Sequence, residues 1–286
     1  MGAYSDRYWA SADGLRLYAR DYAPAGGDAR LPVICLHGLT RNSKDFEEVA
    51  SPIAQSGRRV LAPDIRGRGQ SERDPKAATY DIATYAGDVV ALMDALGIAR
   101  AVFIGTSMGG LITMALSATA SARVAAGLLN DVGPELAPEG IARIAAYAGK
   151  PASLASWDDA AAYARRTNGA SFPGQTDAFW QAFARRTLGQ DGNGAPVLDY
   201  DPAIASAVAP SAIPDLWPLF SHLANGRPIA LVRGQISDLV TAAIAQRMKA
   251  AAPALDVTEV PNVGHAPLLT EPAAVDALGR FLSTAP

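Results

Sequence analysis

Short apolar runs, each bounded by glycine, proline or a charged residue, recur along this chain with helical stripes between them. "LPVICL", "RRVLAP", "AVFIG", "AAGLLN", "PIALVR" and "LDVTEV" are β-branched or otherwise apolar and too short for helices, so they read as buried strands. "KDFEEVASPIAQ", "IATYAGDVVALMDALG", "MGGLITMALSATA", "AAIAQRMKAAA" and "AAVDALGRFLS" read as helices. In the second of these Ile82, Tyr85, Val89, Leu92, Met93 and Leu96 form one apolar stripe at helical spacing. Near the start, "RYWAS" and "LRLYARDY" flank Asp13-Gly14, the pattern of an antiparallel hairpin. Strands alternating with helices of this length imply parallel βαβ units covered on both faces, so the fold class is α/β.

One interval breaks the rhythm. Residues 134–224 contain Ala-rich helical stretches such as "EGIARIAAYAG" and "DAFWQAFARRTLG", a glycine-rich loop "GQDGNGAPV", and no convincing buried strand. The expected organisation is therefore a core of residues 1–133 and 225–286 with a helical cap of 134–224. Trp157, Trp180, Trp217 and Phe220 lie in this interval. They either form the cap's own small core or roof a ligand pocket. "NDVGPE", where the sheet pattern ends, is read as a hinge or pocket wall around Gly133.

With 286 residues, 49% of them hydrophobic, the chain can bury a large core and is not a disordered protein. A net charge of -3 with interspersed signs leaves no footprint for nucleic acid or an anionic membrane surface, which points to a small-molecule partner. The uncharged run from Ala101 to Ala122 is long enough to span a bilayer, but its glycines and hydroxyl residues argue for strand, turn and helix instead. The first residues show no apolar leader, and the single Cys35 excludes an internal disulfide. The cytoplasm is the expected compartment, with a monomer or homodimer as the expected state.

The centre of that uncharged run, Gly105-Thr106-Ser107-Met108-Gly109, fits the pattern that holds a serine on a sharp strand-to-helix turn. A serine hydroxyl needs a base, and the chain has only His37, His222 and His265. His265 follows the last strand, at the carboxyl edge where open α/β sheets place their sites. His37 reads as a loop brace and His222 as a helix histidine. For the acid that orients the base there are two candidates: Asp238, in a turn after "PIALVR" that precedes a helix and leaves its side chain free, and Asp131, which ends the preceding strand. Asp238 is the preferred acid and Asp131 the alternative. Backbone N–H groups of Leu39 and Met108 are the candidate oxyanion hole.

"LHGLT", "DIRGRGQS", "IGTSMGG", "RGQISDLV" and "VGHAP" together resemble the α/β-hydrolase superfamily over nearly all of the chain outside the cap. The resemblance implies an eight-stranded, mostly parallel sheet, a cap inserted after the sixth strand, and the order serine, acid, histidine. Asp64, Arg66, Gly67, Gly69 and Ser71 match a loop motif read as structural bracing. Serine at the elbow separates the chain from the dehalogenase and epoxide hydrolase branches, which use aspartate there. The leading expectation is a serine hydrolase of small carboxylic esters, with no metal or organic cofactor. Carbon-carbon hydrolases of ring-cleavage products and enol-lactonases are the alternative, although those carbon-carbon hydrolases usually carry Asn where this chain has Thr106. A non-catalytic small-molecule binder is the alternative of another class.

Overall fold

Asp13 and Gly14, the latter at φ +89°, turn the chain between β1 (Ser5–Ala10) and β2 (Arg16–Tyr22), as the hairpin pattern predicts. In the computed structural model, which describes residues 4–27, 30–75, 77–150, 152–208 and 215–286, the chain continues through β3 (Val33–Leu36), α1 (Glu47–Gln55), β4 (Val60–Asp64) and α2 (Ile82–Ala95). It then runs through β5 (Ala101–Thr106), α3 (Met108–Thr119) and β6 (Val124–Asn130). Next come α4 (Pro138–Tyr147), α5 (Trp157–Asn168), α6 (Asp177–Thr187), β7 (Leu188–Gln190) and β8 (Pro196–Leu198). It closes with α7 (Trp217–Ala224), β9 (Ile229–Gly234), α8 (Ala242–Ala251), β10 (Asp256–Val260) and α9 (Pro272–Thr284).

Eight strands form one sheet in the order β1-β2-β4-β3-β5-β6-β9-β10, parallel from β4 onward and antiparallel at β1–β2 and β2–β4. Alternation along β3 shows why both faces must be covered. Val33 and Cys35 pack with residues of α1 and α9, while Ile34 and Leu36 pack on the other face with α2, α3 and α8. The α2 stripe behaves as its spacing predicts: Tyr85, Val89, Leu92 and Met93 are buried and Asp81 caps the helix by accepting from the Thr84 N–H at 2.9 Å.

The interval 134–224 is not uniform. Helices α4, α5 and α6 and the β7–β8 hairpin make up most of it, and "GQDGNGAPV" runs from the end of β7 through the turn into β8. Helix α7, expected in the cap, instead packs against α3, with Leu223 over Gly127 of β6. Its apolar face therefore completes the sheet's helical layer. Gly133 lies against α8, where a Cβ would meet the Met248 sulfur at 2.6 Å, and it is not in the wall of the cavity beside Ser107. No helix among the described residues is long and apolar enough to cross a membrane.

Candidate active site

The carboxyl ends of β3, β5, β6, β9 and β10 open into the loops that carry His37, Ser107, Asp131, Ser237 and His265. Parallel strands bring all five to one edge, although they are spread over most of the sequence. Ser107 stands between β5 and α3 at φ +51°, a conformation that L residues adopt at a cost of roughly 1–3 kcal/mol and that concentrates at functional sites. The flanking glycines explain how so tight a turn fits. A Cβ on Gly109 would lie within the Leu36 carbonyl, and one on Gly105 would press on the Gly109–Gly110 peptide. Gly109→Ala should cost at least about 1–3 kcal/mol by overpacking. A urea midpoint equal to that of the wild type would refute this.

Histidine 265 joins the serine to an acid. Its Nε2 lies 3.0 Å from Ser107 Oγ and its Nδ1 lies 2.8 Å from Asp131 Oδ2. Asp131 is wholly buried, also at positive φ (+53°), and accepts from the Gly234 N–H at 3.0 Å and the Ser237 hydroxyl at 2.6 Å. These donors fix the carboxylate so that Oδ2 meets Nδ1, and with Nδ1–H donating to the acid, Nε2 is left to accept from the serine hydroxyl.

The preferred acid of the sequence reading is therefore corrected. Asp238 is not bonded to His265, whose Nδ1 is taken by Asp131, and forms a two-point ion pair with Arg143 of α4, at 2.5 and 2.8 Å. The reason lies one residue earlier, where Ser237 turns inward to support Asp131 and leaves Asp238 on the opposite side of the loop. Burial raises the Asp238 pKa, but the Arg143 guanidinium outweighs it and holds the carboxyl below its ordinary range. The Asp238 and Leu239 carbonyls accept from Gly140 and Ala137, so this loop anchors the start of α4.

Two further contacts hold the histidine loop. Asn130 Nδ2 donates to Thr106 Oγ1 at 3.0 Å and to the Pro267 carbonyl at 2.8 Å. Ser171, from the inserted segment, donates its hydroxyl to the His265 carbonyl at 2.7 Å. The sequence reading missed both residues, since nothing local marks a serine or asparagine as a loop tie.

His37 is the loop brace its position implied. It accepts from the Ile65 N–H at 3.0 Å and donates from Nδ1 to the Gly38 carbonyl at 2.7 Å, and burial lowers its pKa to about 4. The motif after β4 also braces. Asp64 accepts from the Ser43 and Gln70 amides at 2.6 and 2.8 Å, Ser71 donates to the Asp64 carbonyl, and Arg66 binds Asp88 and Asp13. Gly69, at φ +53°, lies against the Asp64 carboxylate where no Cβ fits.

Burial raises the Asp64 pKa to about 6, against an ordinary 3.8. As pH falls from about 6 toward 3.8, the fold takes up a proton that the unfolded chain does not, which adds stability. His37 acts in the opposite sense between its ordinary 6.5 and about 4, where only the unfolded chain gains the proton. Asp64→Asn removes the first contribution and keeps the second. Its urea midpoint should fall more steeply than the wild type's between pH 6 and pH 4, and parallel profiles would rule the account out.

Ser107 and His265 open on a cavity of about 60 Å³ lined by Gly38, Leu39, Thr40, Arg41, Thr106, Ile144, Tyr147, Asn168, Phe172 and the 266–269 loop, among others. A side branch of about 30 Å³ shares Thr40, Arg41, Tyr147 and Asn168 with it and adds Tyr163, Thr187 and Tyr200. Leu39 lines the cavity, as an oxyanion donor must, and Met108 is the first residue of α3, whose leading N–H groups have no partner within the helix.

The expected pocket aromatics are not in the cavity wall. Trp180 is buried with Phe179 and Phe183, Trp157 packs beside them with Arg185 stacked 4.4 Å above it, and Trp217 and Phe220 pack on the core side of α7. The inserted helices use these large residues for their own interior. Arg165, Arg186 and Arg143 are ion-paired, and Arg166 lies over Tyr163, so these inserted arginines are engaged within the protein.

Known proteins place this geometry in a family. The alpha/beta hydrolase fold family model matches residues 32–272. The 3-hydroxybutyrate-oligomer hydrolase of Cupriavidus necator is 37% identical over 272 residues, which cover 91% of each chain. The crystal structure of an alpha/beta hydrolase from Novosphingobium aromaticivorans superposes with a TM-score of 0.92 at 42% identity over the full length of both chains. E-2-(acetamidomethylene)succinate hydrolase shares the fold, with a TM-score of 0.81 at 21% identity over 99% of each chain. The chain belongs to the alpha/beta hydrolase fold family.

Proposed function

We propose that this hydrolase cleaves short carboxylic esters, hydroxyalkanoate oligoesters in particular, through an acyl-serine intermediate. The observation that carries the reading is the unbroken line Asp131–His265–Ser107, at 2.8 and 3.0 Å, ending in the cavity. Ser107 Oγ attacks the ester carbonyl as His265 Nε2 takes its proton, and the carbonyl electron pair moves onto oxygen. Collapse of that intermediate expels the alcohol, which takes the proton from His265. Water then repeats the sequence on the acyl-serine and releases the acid. Asp131 holds the imidazole in the required tautomer and offsets its transient positive charge.

The substrate class draws on two supports. One is the relative from Cupriavidus necator, whose name states an activity on 3-hydroxybutyrate oligomers. The other is the side branch beneath the inserted helices. Its Tyr147 and Tyr163 side chains and Thr40 suit an uncharged chain of repeating ester carbonyls, and the one cation in its wall, Arg41, is bonded to Asp45 at 2.7–3.0 Å. The test is incubation with the linear dimer and trimer of 3-hydroxybutyrate and with its methyl ester, with product release followed by chromatography. Mass spectrometry after treatment with an alkyl fluorophosphonate would locate the label. The expected result is monomer release with higher kcat/KM for the oligomers and one adduct on Ser107. Absence of both turnover and adduct would reject acyl transfer. Equal kcat/KM for methyl ester and oligomers would reject the oligoester preference alone.

A further inference from the structure

Arg58 and Arg68 are each 1% exposed and donate to no carboxylate side chain among the described residues, the first at the C-terminal end of one helix and the second beside the N-terminal end of another. Arg58 donates to the carbonyls of Leu282, Ala285 and Pro286 at the end of α9, and to Leu31, at 2.6–3.1 Å. A helix C-terminus carries partial negative charge, so a cation there is compensated. Arg68 sits the other way. Its Nε donates to the Leu39 carbonyl at 3.0 Å, one terminal nitrogen donates to the Arg66 carbonyl and the Tyr85 hydroxyl at 2.8 and 2.9 Å, and the other meets the Met108 sulfur at 3.5 Å. Met108 opens α3, the positive end of that helix. No ion pair to Arg68 occurs among the described residues. The carboxylate associated with its surroundings is Asp201, which accepts from Tyr80, whose ring centre lies 5.8 Å from the guanidinium.

A buried cation without a carboxylate, placed against a positive helix end, is an unfavourable arrangement in the resting protein. What offsets it is an anion arriving nearby. The two residues Arg68 grips besides its own loop, Leu39 and Met108, are those whose amides flank Ser107 as candidate oxyanion donors. We infer that Arg68 is a positioning residue of the oxyanion site, holding the Leu39 loop against the start of α3 and keeping there a positive potential that is neutralised only when the attacked carbonyl becomes an oxyanion. The cap contributes to its seat: Gly69 N–H donates to the Asp199 carbonyl and Asp201 N–H to the Gly67 carbonyl, pinning the Arg68 loop on both sides. The motif around it was read as bracing, and this residue occupies a variable place within that motif.

The inference rests on the acyl-transfer reading above, so the experiment separates the two. Arg68→Gln keeps a donor for Leu39 and removes the charge, while Arg68→Lys keeps the charge and loses the planar fork. Each is compared with wild type and with Arg58→Gln for turnover of p-nitrophenyl butyrate and for inhibition by an alkyl trifluoromethyl ketone, whose hemiketal with Ser107 carries an oxyanion. In Arg68→Gln, kcat and ketone affinity should fall together by about tenfold to a hundredfold, less than the loss typical of deleting a donor itself, with KM changed by no more than about twofold. Arg68→Lys should recover part of both. Arg58→Gln should lower the thermal midpoint and leave both constants as in wild type. Should the glutamine variant fail to fold, the lysine variant carries the same reading, because a loss of ketone affinity matching its loss of kcat at constant KM supports the inference. Folded variants with wild-type kcat, or with ketone affinity falling no more than ester binding, overturn it. Wild type that neither turns over the ester nor binds the ketone overturns the acyl-transfer reading instead.

Discussion

Replacing Ser107 with alanine should lower ester turnover by about a million-fold, close to the loss seen when a serine nucleophile is removed from other triads. The size follows from the geometry: Ser107 Oγ is the atom that His265 Nε2 faces at 3.0 Å, and alanine leaves only binding and oxyanion stabilisation of direct attack by water. The substitution should not unfold the protein. Ser107 is held at φ +51° by its backbone, and its amide still donates to the Asn130 carbonyl at 3.0 Å. Removing the hydroxyl leaves no buried group unsatisfied apart from one histidine nitrogen that opens on the cavity. Initial rates under identical conditions, with the fluorophosphonate adduct as a second readout, decide the matter. Residual turnover within about a hundredfold of wild type would place the nucleophile elsewhere.

Asp131→Asn should lower kcat by about ten-thousandfold, and Asp238→Asn should leave kcat within a few fold of wild type. Asparagine at 131 retains the shape but presents an amide that favours the wrong imidazole tautomer and cannot balance the imidazolium. It also disturbs the bond from Ser237 at 2.6 Å, so its thermal midpoint should fall as well. At 238 the change removes one partner of a partly exposed ion pair with Arg143, for which a stability loss of about 1 kcal/mol or less is expected. Because that pair joins the core loop to α4, any kinetic change should appear in KM. Equal losses in the two variants would mean that the carboxylates exchange roles during turnover.

The strands and the candidate nucleophile Ser107 were legible because their signals are local. Glycine at 105 is demanded by the Gly109–Gly110 peptide, close in sequence, and glycine at 109 by the Leu36 carbonyl of the neighbouring strand, and β3 and β5 are continuous apolar runs because helices cover both faces. His265 was legible by elimination among three histidines and by its place after the last strand. The aromatics of residues 134–224 were misplaced because a pocket wall and a helical core require the same residue types. Phe179, Trp180 and Phe183 pack on one another in edge and tilted contacts at 5.0–5.7 Å, and the cavity takes Ile144, Tyr147 and Phe172 instead. Which face of an amphipathic helix meets a cavity is set by its docking, not its period.

By itself the sequence determined the α/β class, the hairpin, the turn that strains Ser107, and the pairing of serine with His265, since periodicity and glycine spacing act through near neighbours. The tertiary structure decided which carboxylate meets His265. Asp131 and Asp238 both follow buried strands that lie side by side, β6 and β9, and both carry the chemistry. The choice rests on Ser237 and Gly234 donating to one carboxylate while Arg143, far away in the chain, draws off the other. A contact between residues separated by about a hundred positions leaves no period to read, and only the folded chain shows which carboxylate reaches the histidine.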